Sequence, residues 1–269
     1  MKKKMRKIVC AVLLGAGILI GSAGTAQAQM PYDTYSFNYW GEEVLQPQVY
    51  LYEGMLTEQE FGTGLNFPED MCIHGGCLYV ADTGNNRVLK MEPEGKVLQE
   101  IVWGSGPEDP LSGPRGLYVT EEGSLYVADS GNGRIVEYDG EGRFLRSIGR
   151  PVTNLLNDSQ EYRPMKVAVD HAGRIYVIAY GINMGLVEFD KNGEFQGFMG
   201  AVNVSVDYFT YIWKNYFSTD AQKARMETII PTEYSNIFVD DEGFIYATIN
   251  NLSKEDHMQG ADAIRRLNP

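Results

Sequence analysis

The sequence predicts an all-β protein, a β-propeller built of four-stranded blades. Three observations point there. The segment Leu78-Tyr79-Val80-Ala81-Asp82-Thr83-Gly84-Asn85-Asn86-Arg87-Val88 returns 47 residues later as Leu125-Tyr126-Val127-Ala128-Asp129-Ser130-Gly131-Asn132-Gly133-Arg134-Ile135. Weaker copies stand at Ile175-Tyr176-Val177 and Ile245-Tyr246-Ala247, at further intervals of 50 and 70 residues. Each copy is framed by short apolar runs and glycine-bearing turns, and four short strands in roughly 40–50 residues is the size of a propeller blade.

The elements follow in order along each repeat. A short apolar strand opens it: Gly116 to Val119, Lys166 to Val169, Asn236 to Val239. A turn comes next, Glu121-Glu122-Gly123, Asp170-His171-Ala172-Gly173 or Asp240-Asp241-Glu242-Gly243, where glycine supplies the positive φ that such turns need. The Tyr-Val strand is rich in β-branched and aromatic residues, which fit a pleated, packed surface. An Asp/Gly/Asn loop leads to a third strand, such as Arg87 to Met91 or Arg134 to Tyr138, and a second turn to a fourth. Upstream, Gln48 to Leu56 reads as the third strand and turn of a partial blade, and Thr57 to Phe61 as its fourth strand. Downstream, Ala263 to Pro269 reads as a third strand and the start of its turn. Four full repeats are visible, which suggests an open or truncated propeller.

Tyr-Val-Ala-Asp-x-Gly-Asn-x-Arg-(Val/Ile), with the approaches Phe67-Pro68 and Gly113-Pro114-Arg115-Gly116, resembles the NHL-repeat β-propellers. The resemblance covers about 200 residues, Phe67 to Pro269, and is most specific in the first two repeats. In the third, Ala179 or Tyr180 replaces the aspartate and Gly185 the arginine. Residues repeated once per blade usually build the blade, so Asp82, Arg87, Asp129 and Arg134 are expected to be structural. The resemblance implies rings that are commonly six-bladed, and some of its members bind RNA.

Charge weighs against that last role. The 269-residue chain has 23 Lys+Arg and 36 Asp+Glu. Residues 1–28 read as a signal peptide: a basic start at Lys2, Lys3, Lys4, Arg6 and Lys7, an apolar run from Ile8 to Gly21, and the small-x-small Ala26-Gln27-Ala28. Removing them leaves 241 residues, 29–269, and takes five basic residues and no acidic ones, so the net charge falls from −13 to −18. That opposes nucleic acid and anionic membranes. No later run is long and apolar enough to span a bilayer. The reading is therefore an exported, extracytoplasmic protein without a transmembrane segment after cleavage.

Cys72 and Cys77 flank Ile73-His74-Gly75-Gly76, a tight turn. In an oxidising compartment they could form a small-loop disulfide, or they could remain thiols. The long interval before the fourth repeat carries about 23 extra residues. Within it, at about 203–230, the pattern predicts a helical insertion. Tyr208, Phe209, Ile212, Trp213 and Tyr216 share one helix face, and Tyr211 adds to the aromatic run. Either this face packs on the propeller or it forms an aromatic platform for a ligand or partner.

No nucleophile elbow and no phosphate loop are present. His74, His171 and His257 are scattered, which argues against the three-histidine zinc of peptidyl-hydroxyglycine lyase propellers. Asp70, Asp82, Asp129, Glu161 and Asp207 could each approach the ring mouth, but their spacing singles out none as a metal ligand. The expectation is a non-catalytic scaffold with no cofactor and no metal, binding a protein partner or a small polar or glycan-like ligand. The alternative is a metal-dependent, gluconolactonase-like hydrolase.

Overall fold

The computed structural model describes residues 35–46, 55–156, 161–182, 184–200, 234–250 and 263–268. The expected signal peptide, the helical insertion with Tyr208, Phe209, Tyr211, Trp213 and Tyr216, and most of the partial blade at 48–56 lie outside these residues. So do Asp207 and His257.

The chain divides into two compact units, Met1–Met55 and Leu56–Pro269. In the first, β1 (Tyr35–Phe37) and β2 (Glu43–Leu45) pair as an antiparallel hairpin with Tyr35 opposite Leu45. Asn38 shapes its turn, its Oδ1 accepting from the N–H groups of Trp40 and Glu42 at 2.9 and 3.0 Å.

The second unit opens with a helix where the sequence pattern predicts a strand. Thr57 to Phe61 is not a strand; Glu58–Phe61 forms a short helix, α1. The Thr57 Oγ1 accepts from the Gln59 N–H at 3.3 Å and its carbonyl from the Phe61 N–H at 3.2 Å, so Thr57 acts as a cap. Phe61 then packs on Val80, Leu89 and Met91.

Four blades follow, all antiparallel. Blade 1 is β3 (Pro68–His74), β4 (Cys77–Asp82), β5 (Arg87–Met91) and β6 (Val97–Ile101). Blade 2 is β7 (Pro114–Val119), β8 (Leu125–Asp129), β9 (Arg134–Tyr138) and β10 (Phe144–Ile148). Blade 3 is β11 (Arg163–Val169), β12 (Ile175–Tyr180), β13 (Leu186–Phe189) and β14 (Phe195–Met199). Blade 4 shows β15 (Tyr234–Val239), β16 (Ile245–Ile249) and β17 (Ile264–Leu267) among the described residues. This is the propeller that the repeats predicted.

The core lies between blades. A strand sandwiched by neighbours is apolar on both faces, which is why every residue of β8 is buried. Tyr79, Ala81 and Val88 of blade 1 meet Leu117, Val127 and Val136 of blade 2. Ala128 and Ile135 meet Val167, Val177 and Val187 across the next joint. Tyr176 and Leu186 meet Ile245 and Ala247 across the third. The opening strands pack side by side, β3 on β7, β7 on β11 and β11 on β15. Antiparallel order then places the turns between first and second strands at one end, and the described loops between second and third strands at the other.

Candidate functional site

At the loop end, the repeated polar residues engage one another. Asp82 is fully buried. It accepts from the Asn66 N–H at 2.7 Å, the Asn85 amide at 2.8 Å and the Arg87 Nε at 2.7 Å. Asp129, also fully buried, accepts from the Ser112 N–H at 2.7 Å, the Asn132 amide at 2.8 Å and the Arg134 Nε at 2.8 Å. The glycine of the motif completes the clamp: Gly84 N–H donates to the Asn66 carbonyl and Gly131 N–H to that of Ser112, each at 2.8 Å. The loop entering blade 1 or blade 2 is thus held by that blade's own loop between its second and third strands. Arg87 reaches Glu100 at 2.9 Å and Arg134 reaches Asp109 at 2.8 Å. A buried carboxylate needs such partners, because desolvation otherwise outweighs what burial returns.

Sequence reasoning missed the position between Asp and Gly. The Thr83 hydroxyl donates to the Pro114 carbonyl of the next blade at 2.6 Å, and the Ser130 hydroxyl donates to that of Pro164. A small hydroxyl at this position therefore ties one blade to the next.

Among the described residues the acidic candidates do not converge. Asp70 lies on β3, where it accepts from the Leu117 N–H at 3.0 Å and pairs with Lys166 at 2.9 Å, linking blades 1, 2 and 3. Glu161 is exposed and pairs with Arg163 at 2.6 Å. Asp82 and Asp129 are at the loop end, enclosed in their clamps. Cys72 and Cys77 are free thiols. Register pairs Cys72 with Tyr79 and Cys77 with His74, so the two sulfurs stand diagonally on one sheet face rather than opposite each other. Both pack against the cluster between blades 1 and 2. Burial, with Asp70 second, pushes the Cys72 thiol up to about 12, so it is no ready nucleophile.

The turn end is different. The turns of all four blades surround a cavity of about 600 Å³. Three of its residues occupy the same position in successive repeats: Glu121 from blade 2, His171 from blade 3 and Asp241 from blade 4. Each follows a turn-opening residue, Thr120, Asp170 or Asp240, whose N–H closes the turn onto Ser124, Arg174 or Phe244. Their ligating atoms lie within 4.8 Å of one another. A carboxylate–imidazole–carboxylate set can hold a divalent cation. All three are exposed, so water competes for each of them.

Ile73, Tyr118 and Phe238 add apolar surface to the same cavity. The Tyr118 hydroxyl is pushed above its usual range, first by burial, then by Glu121 and Asp170. His74 also lines the cavity. Glu121, Asp241, Tyr118, Ile73 and Phe238 were absent from the sequence-based site candidates. The signal that could have found the charged members was the repeat itself, since equivalent turn positions meet around one end of a propeller.

Residues 111–138, spanning the entry loop to the third strand of blade 2, match the NHL repeat. No curated protein sequence matches the chain. Among solved structures, it is similar to a catalytically inactive virginiamycin B lyase from Staphylococcus aureus with quinupristin, at 13% identity, a TM-score of 0.46, 81% of this chain and 56% of that one. A streptogramin B lyase gives 11% identity, a TM-score of 0.46 and coverages of 81% and 55%. Hydrazine synthase from Kuenenia stuttgartiensis gives 13%, 0.46, 76% and 47%. The chain spans about half the length of these structures.

Proposed function

We propose, taking the chain as an NHL-repeat propeller, that it is an exported binding scaffold without catalysis of its own, with its ligand site in the turn-end cavity. The observation that carries this reading is the division between the two ends. At the loop end the repeated polar residues bind one another and the backbone. At the turn end residues that differ from blade to blade line a cavity of about 600 Å³, within the size range of small-molecule sites. A rigid frame with a variable mouth is how propellers commonly serve binding. Export to an extracytoplasmic compartment rests on the basic, apolar and small-residue pattern of residues 1–28. The aromatic run Tyr208, Phe209, Tyr211, Trp213 and Tyr216 is a second candidate surface, for a partner protein.

A metal-dependent hydrolase is the competing reading, favoured by Glu121, His171 and Asp241. Such an enzyme needs the ion to activate water or polarise a carbonyl. Lactone hydrolysis assayed with added calcium or zinc separates the two. The scaffold reading expects no turnover above buffer with either ion. Metal-dependent turnover that Glu121→Gln abolishes would overturn it.

A further inference from the structure

The turn-end cavity has an apolar wall and a charged rim of one dominant sign. Ile73 and Phe238, both lining it, are 78% and 61% exposed. Register sets Ile73 opposite Leu78 and Phe238 opposite Tyr246. Those are the sheet faces turned away from the clusters that join blade 1 to blade 2 and blade 3 to blade 4. Two large apolar side chains are thus left in water at one cavity. Tyr118 extends that surface.

The rim carries Glu121, Glu122, Asp240 and Asp241. Asp170, also in the lining, is buried and paired with Arg174 at 2.7 Å. Lys191 is the basic side chain among the lining residues, with His74 and His171 beside it, the latter 4.0 Å from Glu121. Burial first raises the Tyr118 hydroxyl above its usual range, and Glu121, Asp170 and Asp241 add to that shift.

We propose that this cavity binds a small organic cation with an apolar body, its hydrocarbon part against Ile73 and Phe238 and its ammonium facing Glu121 and Asp241. This rests on the scaffold reading and names its ligand class. Charge complementarity selects the occupant. A bare metal ion satisfies the carboxylates and leaves the apolar wall in water. A neutral sugar hydrogen-bonds the carboxylates but leaves their charge uncompensated, and an anion meets four carboxylates. An amine with a hydrophobic body satisfies both at once.

Three probes share one phenyl body and differ in charge: phenethylammonium, 2-phenylethanol and phenylacetate. Isothermal titration of the mature chain, with NMR shifts of the Ile73 δ-methyl as the local readout, compares them. The expected result is phenethylammonium binding about tenfold tighter than either other probe, a preference that weakens with salt. Glu121→Gln with Asp241→Asn should erase the preference, and Phe238→Ser should weaken all three probes together. Equal or tighter binding of the alcohol or the acid at Ile73 overturns the proposal and leaves the scaffold reading standing. Saturation of the rim by calcium or zinc with no response to the amine overturns it as well. So does silence from all three probes. Metal-dependent lactone turnover, by contrast, is the outcome that removes the scaffold reading itself.

Discussion

Asp109 and Asp129 share the Arg134 guanidinium and differ in how they meet solvent. Asp129 is fully enclosed, whereas Asp109 sits on the entry loop and also accepts from the Ser105 N–H at 2.9 Å. Its hydrogen bond with Arg134, then the one from Ser105, hold the Asp109 carboxyl down from the usual 3.8 to about 2. A carboxyl depressed on folding adds stability that is complete above its unfolded value and fades as pH falls toward its folded one. Urea unfolding of wild type and Asp109→Asn between pH 5 and pH 2 should therefore show a gap in favour of wild type at pH 5 that closes toward pH 2. A gap that is constant with pH would contradict the pairing. At this scale the repeated aspartates and arginines were legible as blade builders, because a residue that recurs per blade has a recurrent job. Glu121, His171 and Asp241 were not, because each belongs to a different residue type and only their shared turn position links them. The thiols show another limit, since register, which decides whether Cys72 and Cys77 face one another, is not written in their spacing.

Among the elements, the opening strands set how closely blades approach. Gly116 on β7 sits where an added Cβ would meet the Met165 carbonyl oxygen at 2.5 Å and the Lys166 Cα at 2.8 Å. Both belong to β11, so neither can swing aside as a side chain would. Gly116→Ala should lower stability by about 1–3 kcal/mol in chemical denaturation, through overpacking of the joint between blades 2 and 3. Gly197 on β14 has no atom within 4 Å of the same construction. Gly197→Ala should be neutral or slightly stabilising, because alanine loses less chain freedom. Equal losses at both positions would remove the close-approach argument. The strands were legible because alternating β-branched and aromatic residues between glycine turns fit little else. The stretch from Thr57 to Phe61 was misread as a strand because its pattern was matched to a blade, while Thr57 supplied a cap that favours a turn of helix.

At the scale of the whole molecule, labour divides between two ends. The loop end carries the clamps around Asp82 and Asp129, and the turn end carries the unlike residues that line the cavity. The strongly acidic balance, −13 over the full sequence, adds to the negative field at the proposed cation site. One thermal comparison tests the division most directly: the melting temperatures of Asp129→Ala and of Glu121→Gln with Asp241→Asn, beside wild type. Removing one partner of a buried pair costs about 3–5 kcal/mol, so Asp129→Ala should melt about 10 °C lower in a chain of this size. The mouth variant should stay within about 2 °C of wild type, since exposed substitutions usually change stability by about 0.5 kcal/mol or less. A mouth variant that unfolds, or an Asp129→Ala protein that melts with wild type, would contradict the account.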